Sequence, residues 1–171
     1  MQVYSGGRFW PLDPRPDEIH SQDIAHALSL LCRYGGHVDR FYSVAEHCVL
    51  MSQAVAPENA LAALLHDATE AYVVDVPRPL KRYLNGYREI EAAVWNAICF
   101  RFQLAGDLPS EVALADDRIL LAERNALMSR TRYPWAQETL EPLPVTIAGW
   151  SPEVAERNYL NRLAVLLARR S

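Results

Sequence analysis

The chain is poor in cysteine. It has three, Cys32, Cys48 and Cys99, and none stands in Cys-x-x-Cys spacing. The odd number and the spacing exclude a disulfide framework and a thiolate zinc site. We read all three as small core residues. Long apolar runs are also missing: none approaches the ~18 residues needed to cross a bilayer. The opening Met1-Gln2-Val3-Tyr4-Ser5-Gly6-Gly7-Arg8 lacks the apolar centre of a signal peptide. The expectation is a cytoplasmic protein with no membrane partner. Basic residues do not gather into a stripe. Arg78, Lys81 and Arg82, then Arg130 and Arg132, then Arg169 and Arg170 form only small clusters in a chain of net charge −4. Such clusters suit a small anion better than a nucleic-acid duplex.

Strand signals are scarce, and helical spacing dominates. Residues 21–33 place Ile24, Ala27, Leu28 and Leu31 on one face. Ser43-Val44-Ala45-Glu46 has the form of a capping box and opens a second helix. Pro57 suits the first turn of a helix over 58–72, followed by a loop from Val73 to Pro79. Further helices are expected from Tyr87 to Phe102, from a Ser110 cap to Ser129, and from Ser151-Pro152-Glu153 to about Arg169. The segment 134–150, with three prolines, should wrap the surface. The 171 residues fit one domain, all-α, of about six helices, with an extended N-terminal arm over 1–20 and at most a short hairpin at Val3 to Trp10.

The richest stretch chemically is Leu64-Leu65-His66-Asp67-Ala68-Thr69-Glu70. It sets an imidazole beside a carboxylate within an apolar helical run. Burying that pair is costly without a partner, and a metal ion is a natural one. The donors suit Mg²⁺, Mn²⁺, Co²⁺ or Zn²⁺. On one helix, His66, Asp67 and Glu70 would project to one side. Two other helices offer further donors. His47 stands in Val44-Ala45-Glu46-His47-Cys48-Val49, and alone reads as an ordinary core or surface histidine. Asp116-Asp117 lies among Leu114, Ile119 and Leu121, and alone reads as a solvated acidic pair beside Arg118.

Taken together, the order His47, His66-Asp67, Asp116 resembles the metal-binding signature of the HD-domain phosphohydrolase superfamily. Glu70 and Asp75, in HDATEAYVVDVP, resemble the Glu and Asp that follow the His-Asp pair in its 5′-deoxynucleotidase branch. Arg33-Tyr34 resembles an Arg-aromatic pair at the same relative place. The text DIAHALSLLCRYGGH…FYSVAEHCV is also similar to small phage and bacterial HD hydrolases, some of which act on deoxynucleoside triphosphates. The resemblance covers about residues 20–130. It implies an HD-type helical fold and one divalent cation on His47, His66, Asp67 and Asp116. Asp116 is preferred to Asp117 because it follows Ala115. That choice also places Arg118 and Glu123 where similar small hydrolases carry them.

The resemblance further implies a metal-dependent hydrolase of nucleotides, with nucleoside 5′-monophosphates favoured over triphosphates, and a homodimer. Glu70 would orient water and Asp75 would protonate the leaving oxygen. Arg33 and Lys81 would clamp phosphate, and Tyr34 would stack on base or sugar. A different class, a non-catalytic helical binding or sensor module with a structural metal, would have no use for Glu70 and Asp75. His26 is expected to be a satisfied structural histidine. His37 would lie at the pocket mouth without ligating, and His20 carries no signal.

Overall fold

The two middle helices of the chain are apolar nearly all round, and this dictates the architecture. In the computed structural model, which describes residues 1–170, α2 (Val44–Ala54) and α3 (Ala60–Leu65) pack side by side at the centre. Every residue of α3, and of α2 from Val44 to Ser52, is buried. A helix that is apolar on all faces needs cover on all faces. On one side lie α1 (Ser21–Leu30), α6 (Tyr87–Phe102) and the closing helix α8 (Pro152–Ala168), around a core that includes Ala45, Cys48, Leu61, Leu64 and Leu65. On the other lie α7 (Ser110–Leu127) and residues Leu143 and Ile147, against Leu50, Met51, Ala62 and Ala63. One-turn helices α4 (Glu70–Val73) and α5 (Arg78–Lys81) connect α3 to α6.

The all-α expectation is met: the described residues hold six helices of six residues or more, two single turns, three short 3-10 turns and two isolated β-bridges. None of these helices is long and apolar enough to cross a membrane. Several expected boundaries move. The first helix stops at Leu30, because Leu31 turns to extended backbone and Cys32 bridges to Ser43. The continuous 58–72 helix is broken at 66–69, where Ala68 and Glu70 bond back only three residues, to Leu65 and Asp67. Pro109, not Ser110, is the cap residue of α7.

The capping box is half formed. Ser43 accepts from the Glu46 N–H, but the Glu46 carboxylate turns away and accepts from the N–H groups of Ala148, Gly149 and Trp150. The 134–150 segment is therefore pinned into the core at its end rather than merely wrapped over it. Nor is the N-terminal arm simply extended. Gln2 bridges Arg8, Phe9 stacks on Tyr72 with ring centroids 4.0 Å apart, and Pro16–Glu18 forms a 3-10 turn.

Candidate metal centre

α2 and α3 pack together with His47 on α2 and His66 just past the end of α3 at the contact. His47 Nε2 and His66 Nε2 lie 3.3 Å apart. Each ring is held from behind. His47 Nδ1 lies 2.6 Å from Glu123 Oε1, and His66 Nδ1 lies 2.8 Å from the Ala63 carbonyl. Both partners accept only, so each Nδ1 carries a hydrogen and each Nε2 is left to face the other donors. Asp67, on the broken turn after α3, places Oδ2 3.2 Å from His66 Nε2 and 3.7 Å from His47 Nε2. Asp116, on the face of α7 that packs on α2, places Oδ1 3.5 Å from His47 Nε2 and 4.0 Å from His66 Nε2.

These separations can be tested against an ion. Ligand atoms about 2.1 Å from a shared cation stand about 2.9 Å apart at right angles and about 4.2 Å apart when opposed. All five distances fall between those limits. His47, His66 and Asp67 form a group that could hold a metal ion. Two further observations fit. Burial opposes protonation of His66, but the adjacent Asp67 outweighs it and pushes the imidazole well above its usual range, so the space at the two Nε2 atoms favours positive charge. Glu70 Oε2 is buried with no hydrogen-bond partner. Burial and the nearby Asp67 and Asp75 carboxylates push the Glu70 carboxyl up to about 9, which marks a pocket short of positive charge.

The charges around the centre are ordered. Burial opposes ionisation of Asp67, but His66, His47 and Arg33 outweigh it and hold the carboxyl well below its usual range. Burial likewise opposes ionisation of Asp116, yet His47 and His66 hold it at about 2. Arg33 is buried; its Nη1 donates to Asp67 and its Nε to Glu123. Arg33 thus already serves two carboxylates, whichever ligand it also meets. Cys48 Sγ is 4.0 Å from His66 Nδ1, but burial pushes its thiol up to about 11, so it stands there neutral.

The remaining expected residues are distributed as follows. Asp117 is turned outward to Arg78 and Gln137. Tyr34 is half-buried, with backbone φ of 58°, its hydroxyl on Glu123 and its ring 6.4 Å from that of Trp135. Asp75 is exposed just after Val74, whose φ of 67° is unusual for a β-branched residue. Lys81 forms an ion pair with Glu91 at 2.7 Å. A cleft of about 410 Å³ has His66, Asp67 and Glu70 on one wall, and Lys81, Arg88 and Trp95 among its other lining residues. That volume suits a small ligand. A larger cavity of about 500 Å³ shares Trp95 but contains no histidine. His26 stacks on Tyr4 and pairs with Glu156; His37 is exposed. No local pattern in the sequence marks Arg88, Trp95 or Tyr42. For Glu123 the sequence offers only its place relative to Asp116; its contacts come from three other parts of the chain.

The fold and the centre define a helical domain built around a buried His-His-Asp group. No protein-family model matches the chain. It is 40% identical over 146 residues to an Escherichia coli (strain K12) protein named "Uncharacterized protein YfdR", spanning 85% of this chain and 81% of that one. It is 38% identical over 125 residues to "Uncharacterized protein RCAP_rcc00048" of Rhodobacter capsulatus, spanning 67% of this chain and 64% of the relative. The chain belongs to the family of YfdR.

Proposed function

We propose that the protein is an HD-type, metal-dependent phosphohydrolase of nucleotides, with nucleoside 5′-monophosphates as the favoured substrates and nucleoside triphosphates as the second reading. The observation that carries this is the close His47, His66 and Asp67 group, with Asp116 Oδ1 3.5 Å from His47 Nε2, beside Glu70, whose buried Oε2 has no partner, and a cleft of ligand size. His47, His66, Asp67 and Asp116 would hold one divalent cation, Mn²⁺, Co²⁺, Mg²⁺ or Zn²⁺, which when bound polarises phosphate and makes water more acidic.

The chain's own groups supply the rest. Glu70, which lines the cleft and has a buried Oε2 without a partner, accepts a hydrogen bond from the attacking water and orients it for in-line attack. Asp75, whose carboxylate is close enough to push the Glu70 carboxyl up, passes to the leaving oxygen the proton that the attacking water gives up. Lys81, in the cleft lining, and the free Nη2 edge of Arg33 bind phosphate oxygens. Tyr34 and Trp95 offer ring surface to the nucleoside. A purely structural metal site would leave Glu70 buried, unpaired and without purpose.

The test is phosphate or polyphosphate release from a panel of nucleoside mono- and triphosphates, after chelation and after adding back each of the four cations. The expected result is cation-dependent release, lost in His66→Ala together with bound metal. Equal metal content in His66→Ala and the parent protein would remove the proposed centre.

A further inference from the structure

Glu123 has no part in the chemistry above, yet it is the most heavily engaged carboxylate in the molecule's interior. It stands on α7 two helical turns beyond Asp116, on the same face, with no solvent exposure. Its oxygens take four partners from three other parts of the chain. Oε1 accepts from His47 Nδ1 at 2.6 Å and from the Tyr42 hydroxyl at 2.9 Å. Oε2 accepts from the Tyr34 hydroxyl and from Arg33 Nε at 3.3 Å. All four partners are donors. A carboxylate has about four acceptor sites and no hydrogen, so it is the side chain that satisfies this set. An amide in its place would set an N–H₂ against other donors.

The consequence falls on His47. A neutral imidazole has one ring hydrogen, and an acceptor-only partner draws it to Nδ1. Nε2 is then the free lone pair, and it faces His66, Asp67 and Asp116. His66 Nδ1 is held by a neutral carbonyl, whereas His47 is backed by a full charge. The effect extends past His47, because the guanidinium that donates to Glu123 also donates to Asp67. Two donors of the centre are thus tied to one buried group.

We propose that Glu123 is the positioning residue of the metal centre. It locks His47 in the Nδ1–H tautomer and, through Arg33, sets the Asp67 carboxylate, so that the donors converge before a cation arrives. This rests on the metal-centre reading. Its rival is that Glu123 only stabilises the core.

The test compares dissociation constants for Zn²⁺ and Mn²⁺, from competition with a chromophoric chelator, in the parent protein, Glu123→Gln and Tyr42→Phe. Tyr42→Phe removes one donor to Glu123 but leaves the carboxylate and its hold on His47. The expected result is a ten- to hundred-fold weakening in Glu123→Gln, the usual size for such a partner, with Tyr42→Phe close to the parent. Long-range ¹H–¹⁵N spectra of the parent's His47 ring should show hydrogen on Nδ1 and none on Nε2. That measurement decides the matter if Glu123→Gln does not fold. Parent-like affinity in Glu123→Gln, equal weakening in both variants, or an Nε2–H tautomer of His47 would overturn the proposal while leaving the metal reading standing. A parent protein that takes up neither ion would remove both.

Discussion

At the scale of single residues, the centre separates neighbours that the chain sets side by side. Asp116 and Asp117 are adjacent, but α7 turns one inward to the histidines and the other outward to Arg78 and Gln137. Arg78 touches both, and its side chain is 66% exposed, so that bond adds little. Asp116→Asn should therefore lose bound metal and turnover, while Asp117→Asn should keep most of both. Metal analysis and phosphate-release rates distinguish the pair. Glu70 predicts a different pattern. It faces the centre without reaching a histidine within ion-pair distance, so Glu70→Ala should retain the cation and lose ~10²–10⁴-fold in turnover, the usual loss for a positioned acid–base group. Near-full rate at saturating metal would reduce Glu70 to a buried residue with no chemical role.

At the scale of elements, α2 matters most, because His47 sits where both halves of the core press on it. The helix is held at its start by Ser43 and braced by Glu46, whose carboxylate gathers three consecutive backbone N–H groups from residues 148–150. These are charge-assisted bonds in a buried place. Glu46→Ala would leave three N–H groups without an acceptor and open a void. We expect a loss of about 2–4 kcal/mol in denaturant unfolding, against about 1 kcal/mol for Ser43→Ala. The position that receives Glu46 is equally constrained. Gly149 has φ of 71°, and a Cβ there would meet the Arg40 side chain at 3.0 Å and the Phe41 carbonyl at 3.2 Å. The break after α3 is the other telling feature of an element. No proline causes it, and tightened turns within a helix often mark functional positions; here the tightening carries His66, Asp67 and Glu70 into the cleft.

At the scale of the whole molecule, both ends of the chain close the fold over its middle. α8 packs on α1, α2 and α3, and its Tyr159 hydroxyl donates to the buried Leu64 carbonyl, two residues before His66. Arg162 reaches back to the hydroxyl and carbonyl of Ser52 at the end of α2. At the other end Phe9, fully buried, stacks on Tyr72 of α4, the turn that begins with Glu70. The arm is thus part of the wall that fixes the cleft. Phe9→Ala should cost about 3–5 kcal/mol. It should lower the melting temperature by many degrees in a domain of this size. A Phe9→Ala protein that melts like the parent would show the arm to be an ornament of the fold.

Much of this was legible in the chain alone, and for a local reason. Helical periodicity and the apolar character of residues 44–52 and 60–65 follow from neighbours within a turn or two, so the all-α class and the six longer helices could be read directly. The His66-Asp67 pair stood out because a charged and a titratable side chain interrupt an apolar run. What the tertiary structure decided concerns contacts between distant residues. Glu123 meets His47 across 76 positions and Arg33 across 90, and no local pattern distinguishes it from any glutamate on a helix. Glu46 carries a capping signature that its own helix uses only in part, because its carboxylate accepts instead from three backbone N–H groups of the distant 148–150 segment. The break at 66–69 is likewise set by packing, since the residues there have ordinary helical tendencies. Local order comes from spacing along the chain, whereas the convergence of donors on one point comes from which helices the core brings together.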